Sequence, residues 1–399
     1  MVTKLQHAVS KPALVVCQVL QKAGHEAYVV GGCVRDALIG RPVSDWDVTT
    51  DALPEQVMKL FKRTIPTGVQ HGTVTVIESG VHVEVTTYRG EGAYTDARRP
   101  DSVTFGVPLT RDLERRDFTV NAMAWDPHNQ RLVDPHDGQG DLAAGLLRAV
   151  GDPADRFRED GLRVMRAVRF VATLELDLDP ATEAAIAGAL PSLAKVSAER
   201  VRDELLKLLG ARQPSRGLVV AERTGALAQI LPERTEAVEI VDGLRADALL
   251  RFAALLAHGD RHAASSVGRR LKLSNDERQR VTHMVEHQAV AYDPAWTDAD
   301  VRRWVAAVQR ERVADALDLR AAVTGELPDL RARAQGVIDA GDPLYPKELA
   351  LGGEDVMRIL GKGQGRHVGR ALDALLEQVF EDPSKNDAAT LEKLLRSAS

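Results

Sequence analysis

Asp45 and Asp47, separated only by Trp46 in the stretch DWDVTT, carry the sharpest chemical signal in this chain. On an extended strand, residues two apart stand on one face about 6.6 Å apart, near enough for two carboxylates to converge on one divalent cation or a close pair. Thr49 shares that face, and Trp46 and Val48 take the other. Just upstream, Gly31-Gly32 ends the apolar run EAYVV and leads into CVRDALIG, which reads as a buried strand, a tight turn and a short helix closed by Gly40. Unpaired N–H groups at such a turn, together with the helix dipole, make a seat for a phosphate.

Other elements must bring further groups to this pair. GTVTVIESGVHVEVTTYRG reads as a hairpin of two β-branched arms joined at Glu78-Ser79-Gly80. Its second arm turns Val83 and Val85 one way and His82, Glu84 and Thr86 the other, so Glu84 is a candidate third carboxylate. LERRDFTVNAMAWD sets two arginines, an aspartate and an asparagine beside a compact apolar run, a mixture suited to holding a sugar and a triphosphate against a core. DPHDGQGDL reads as a turn-rich loop able to brace two domains. REDGLRVMRAVRF reads as a helix with Leu162, Met165 and Val168 toward a core. On its other side Asp160, Arg163, Arg166 and Arg169 recur every third residue, where a carboxylate and a guanidinium can meet the edge of a base.

Composition bounds these readings. The 399 residues exceed one ordinary core, and 44% hydrophobic with 28% charged residues describe a globular protein. Only 4% are aromatic, which suits a helix-rich chain better than an all-β sandwich. Cys17 and Cys33 offer neither a zinc spacing nor a disulfide framework, so a reducing cytoplasm is expected, with no membrane span. The net charge of −6 argues against nucleic acid, but ARRP, LERRD, GRRLK and GKGQGRHVGR are local basic clusters. Strand signals nearly vanish after about residue 155, and AERVRDELLKLLGA and later segments carry helical stripes.

Together these stretches resemble the bacterial class II tRNA nucleotidyltransferases, the CCA-adding and poly(A) polymerase family of the polymerase-β-like superfamily. VGGCVRDALIGRPVSDWDVTT is similar to the family's catalytic motif, RRDFTVNAMA to its ribose motif and DPHDGQGDL to its hinge. EDGLRVMRAVRF is similar to its base-selecting template and ERVRDELLKLL to its neck helix. The five motifs cover about residues 26–210; the C-terminal half matches more weakly. The resemblance implies an α+β fold: a mixed-sheet head over 1–145, then an elongated all-α neck over 146–235, body over 236–320 and tail over 321–399. It implies that Asp45 and Asp47 bind Mg2+, with Glu84 assisting. Gly31, Gly32 and Arg35 would hold the triphosphate, and Arg116, Asp117 and Asn121 the phosphates and sugar. Asp160 and Arg163 would read the base, with Arg166 and Arg169 positioning them or the phosphates. The implied partners are ATP, CTP and tRNA, held at its 3′ end and elbow, with no obligate protein partner.

Four variants of this activity are open: CCA addition, A addition, CC addition and poly(A) synthesis. The family's CC-only members lack a D-x-x-R element in the loop after the hairpin. Asp96 and Arg99 in DARR supply it here, which disfavours that variant. A mixed rather than basic C-terminal segment disfavours poly(A) synthesis. Rivals of other classes are a non-catalytic RNA-binding protein and a second-messenger hydrolase of the His-Asp type. For the latter, the expected dyad in LLAHGDRHAA is interrupted by Gly259, so that region is expected to be a structural helical body.

Overall fold

In the computed structural model of the chain, residues 2–91 and 103–397 are described. They fall into two compact units, Met1–Pro232 and Glu233–Ser399. The first is built on a mixed sheet whose strands are β1 (Ala27–Val30), β2 (Trp46–Thr50), β3 (Thr64–Gly68), β4 (Thr73–Glu78) and β5 (Val81–Thr87). A separate ribbon of β6 (Arg89–Glu91) and β7 (Val103–Phe105) follows, and β8 (Ala124–Asp126) and β9 (Arg131–Val133) complete the main sheet. Its spatial order is β3-β4-β5-β2-β1-β8-β9. Every pairing in it is antiparallel except that of β2 with β5, which is parallel.

Period-2 alternation decides what each face carries. Val29, Val48, Val74, Val76, Val83 and Val85 turn toward one core, where helix Lys11–Lys22 lays down Ala13, Val16, Cys17 and Leu20. Each such valine contributes about 1.5–3 kcal/mol by leaving water. That helix starts where Ser10 Oγ accepts the Ala13 N–H at 3.3 Å, with a proline in its first turn. The opposite face carries Tyr28 and Val30, packed with Tyr88 and Leu113. Thr49 pairs with Tyr28, so Asp47, two residues before it, belongs to this second face. The β4–β5 hairpin turns at Ser79 and Gly80, both at positive φ, with Glu78 opposite Val81.

Two expected elements differ. The stretch read as one helix from Arg158 to Phe170 is broken: one helix ends at Glu159, Asp160 is extended (φ −139°, ψ 106°), and a new helix spans Leu162–Leu174. At the junction Gly161 passes so near the Ser192 carbonyl oxygen that a Cβ would lie 2.3 Å from it, a close approach that only glycine permits. Asp160 Oδ1 accepts the Leu162 N–H at 3.0 Å and starts the second helix. The segment DPHDGQGDL is only half a loop. Asp134 accepts from the Gly138 and Gln139 N–H groups at 2.7 and 2.9 Å, and helix Gly138–Ala144 begins there.

Helix Ala198–Leu209 buries Val201, Leu205, Leu208 and Leu209, as its stripe predicts. The second unit is helical throughout its described residues, with a core that includes Val301, Val305, Leu330, Leu376 and Leu391. The α+β expectation therefore holds, with the sheet confined to the first unit.

Candidate active site

The carboxylates are arranged by the parallel β2–β5 pairing. Asp47 is the second residue of β2 and lies in register with Glu84 of β5. Asp45 directly precedes β2, is exposed, and accepts from Ser44 Oγ at 2.9 Å. Burial pushes the Asp47 carboxyl up, Glu84 adds to the effect, Arg116 opposes it and Asp45 adds again, leaving it at about 6. With Glu84 and Asp45 both opposing charge on Asp47, the three acids form an oxygen donor set suited to a hard divalent cation, which would relieve that cost.

The glycine turn closes on this pair. Gly31 has φ +86°, and a Cβ on it would lie 2.9 Å from Arg116 Nη1 and 4.0 Å from Asp47 Oδ2. Helix Gly32–Ile39 starts from that turn, with its first N–H groups free of intrahelical acceptors, and ends at Gly40 (φ +75°). Arg35, expected to reach phosphate, is buried: its Nη1 donates to Asn121 Oδ1, and its Nε and Nη2 donate to Asp36 at 2.9 Å each. In this arrangement it holds Asn121 in place. Arg116 in turn is steadied by Asp112, at 3.4 Å, a fully buried carboxylate that also pairs with Arg115 at 2.8 Å and accepts from Thr49 Oγ1 at 3.2 Å.

Asp117 links this turn region to helix Leu162–Leu174. It accepts from Asn121 Nδ2 at 3.0 Å and from Arg166 through Nε at 2.7 Å and Nη2 at 2.6 Å. Burial alone would raise its pKa, but the Arg166 charge and these hydrogen bonds outweigh it and hold it at about 2. Phe170 is the common floor: the guanidinium carbons of Arg169, Arg166 and Arg35 lie 4.0, 5.1 and 5.2 Å from its ring centre. Arg169 donates to Glu204 at 2.5 Å.

Asp160 and Arg163 are joined by a backbone bond of 2.9 Å, but their side chains have different partners. Arg200 grips Asp160 through Nη2 at 2.7 Å and Nη1 at 3.2 Å. Arg163 donates to the carbonyls of Arg156 at 2.9 Å and Arg115 at 2.8 Å, and to Glu159. Asp96 and Arg99 lie outside the described residues.

Asp112, Arg200, Glu204 and Phe170 escaped the sequence reading. A signal existed for two of them, since Arg200 and Glu204 sit one turn apart in the neck segment ERVRDELLKLL. In the second unit, His258 pairs with Glu236, and Asp260 accepts the Ala263 N–H at 2.6 Å as a helix cap. Both ends of the interrupted dyad thus serve local structure.

The poly A polymerase head domain family matches residues 27–148, the family described as an RNA and SrmB binding site of polymerase A matches 175–238, and the tRNA nucleotidyltransferase domain 2 family matches 247–395. A CCA-adding enzyme of Geobacillus stearothermophilus is 39% identical over 392 residues, 94% of each chain. The chain belongs to the CCA-adding enzyme family. Another CCA-adding enzyme, from Lactobacillus helveticus, is 53% identical over 196 residues, 49% of each chain. Among solved structures, the Bacillus stearothermophilus CCA-adding enzyme in complex with CTP has a TM-score of 0.82 at 35% identity, covering 98% of both chains. Enzymes of the CCA-adding family are nucleotidyltransferases acting at the tRNA 3′ end and use divalent metal ions. No helix among the described residues is long and apolar enough to cross a membrane.

Proposed function

We propose that this chain completes the 3′ end of tRNA, adding C and A residues from CTP and ATP with release of pyrophosphate. The observation that carries the reading is the register of Asp47 with Glu84 beside the Gly31 turn and Arg116. It sets a cation site next to a triphosphate seat. Asp45 and Asp47, assisted by Glu84, would hold Mg2+. Bound there, the ion supplies a lowered pKa for the attacking 3′-hydroxyl and neutralises charge on the phosphates. The chain's own part is positioning. The N–H groups after Gly31, with Arg116, receive the triphosphate, and Asn121, held by Arg35 and Asp117, faces the sugar. Gly32 keeps that turn slim.

Base choice is assigned to Asp160 and Arg163, with Arg166 and Arg169 as supports. A wrong base leaves buried polar groups unpaired at about 1–3 kcal/mol each. In the described arrangement Arg200 orients Asp160 and Glu159 orients Arg163, and the remaining acceptor and donor positions of the pair would meet cytosine or adenine. Asp96 and Arg99 are assigned to the change from C to A on the sequence alone. The nucleotidyl transfer step falls to residues 1–145 and base selection to 146–235. The body, 236–320, and the tail, 321–399, meet the tRNA, the tail at its elbow. A cytoplasmic setting agrees with Cys17 and Cys33, both buried free thiols.

The test is incubation with tRNA lacking its last one, two or three nucleotides, with labelled CTP or ATP and Mg2+, reading product length. Stepwise restoration of CCA supports the reading. Extension only of tRNA ending in CC would give the A-adding variant, and long A tracts would give poly(A) synthesis. No transfer to any substrate would leave an RNA-binding protein.

A further inference from the structure

Helix Asn275–His287 of the second unit carries a group that nucleotide transfer does not use. His283, Glu286 and His287 each offer a ligand atom, and the three atoms lie within 4.8 Å of one another, the one such set of three or more His, Cys, Asp or Glu side chains among the described residues. The spacing i, i+3, i+4 puts all three on one helix face. The two imidazole rings lie 4.3 Å apart, centre to centre.

The surroundings have the form of an outer shell. His283 Nε2 lies 2.6 Å from the Val308 carbonyl oxygen. Donating its proton there fixes the tautomer and leaves Nδ1 with the free lone pair, the usual state of a ligating histidine whose other nitrogen is bound to a carbonyl. Glu286 is steadied by Arg261 Nη1, at 2.9 Å from one oxygen and 3.1 Å from the other. A carboxylate has about four acceptor positions, so this pairing leaves room for a cation. His283 and Glu286 also border an open recess of about 430 Å³.

We propose that His283, Glu286 and His287 form a binding site for a divalent cation of borderline softness, the Zn2+ class, distinct from the carboxylate site of the first unit. Two imidazoles and one carboxylate are the donor set such an ion prefers, and an open position would remain for water. Mg2+ would be a poor occupant, because it favours an octahedron of oxygens.

The experiment uses the full chain carrying Asp45→Asn and Asp47→Asn, which removes the competing carboxylates. Equilibrium dialysis against Zn2+ at neutral pH should show uptake of about one equivalent, and Co2+ should give the intense visible bands of a low-coordinate ion. Adding His287→Gln should weaken Zn2+ binding by about tenfold or more and abolish the Co2+ bands, with the far-UV circular dichroism unchanged. His283→Ala should do the same and serves as the second variant. Undiminished uptake in both histidine variants, or none in the parent, would overturn the site and leave Glu286 as the partner of Arg261 alone.

Discussion

Asp47 of β2 and Glu84 of β5 face one another in register across the single parallel pairing of the main sheet. Burial and the facing Glu84 raise the cost of charge on Asp47, whose carboxyl is pushed up to about 6. A carboxyl whose folded pKa is raised contributes stability below its unfolded value, about 4, and that contribution is lost as pH rises through about 6. At pH 8 in EDTA, Asp47→Asn should therefore unfold at a higher temperature than the parent protein. A lower melting temperature would contradict the repulsion.

The same substitution should end catalysis. Losing a cation ligand removes several kcal/mol of transition-state stabilisation, so transfer by Asp45→Asn or Asp47→Asn should fall by about a thousandfold. Affinity for tRNA, measured by filter binding, should stay within about twofold, because phosphate contacts come from basic side chains elsewhere. Residual transfer above about one tenth of normal would remove these residues from the reaction.

Asp117 behaves in the opposite sense. Its folded pKa is about 2, below the unfolded value, so its pairing with Arg166 stabilises the protein above about pH 4 and ceases to do so as pH falls through about 2. Asp117→Asn leaves the half-buried Arg166 without its carboxylate partner and should cost about 1–3 kcal/mol in urea unfolding at pH 7, less than a fully buried pair because Arg166 is one-third exposed. The deficit should shrink toward pH 2. A deficit independent of pH would show that the ion pair is not its source.

Arg200 acts on the base through Asp160. Arg200→Ala should release Asp160 and reduce discrimination against GTP and UTP by about tenfold, the size of one hydrogen bond, with partial rescue by Arg200→Lys. Arg163→Ala should relax selectivity and also slow transfer. Unchanged selectivity in both active variants would reduce this helix to a scaffold.

Gly31 and Gly40 separate backbone strain from crowding. Both have positive φ, but a Cβ at Gly31 meets Arg116 at 2.9 Å, whereas nothing lies within 4 Å at Gly40. Gly40→Ala should cost about 1–2 kcal/mol of stability and leave the KM for CTP unchanged. Gly31→Ala should cost about 1–3 kcal/mol and also raise that KM, since Arg116 must move. Equal KM values would mean that the turn does not touch nucleotide.

Where structure is set locally, the sequence was readable. The strand before Gly31, the cap at Gly40 and the Ser79-Gly80 hairpin follow from adjacent residues, and so does the face that carries Glu84. Distant contacts were not readable. The need for glycine at 161 comes from the Ser192 carbonyl, and the burial of Arg35 depends on Asn121 and Phe170. Periodicity placed Asp160, Arg163, Arg166 and Arg169 on one side, but their ion-pair partners come from Arg200, Glu159, Asp117 and Glu204, which only the packed fold brings near.

The parallel joining of β2 to β5 also orders events on the ribosome. Every strand of the main sheet precedes Asp134, so a nascent head has all it needs to bring Asp47 to Glu84 while Arg166, Arg200 and Glu204 are still untranslated. Such a chain would carry its carboxylates assembled but Asp117 without its guanidinium and no means of telling one base from another. The residues that choose the base all follow the sheet in the chain, so synthesis supplies reactivity first and discernment afterwards.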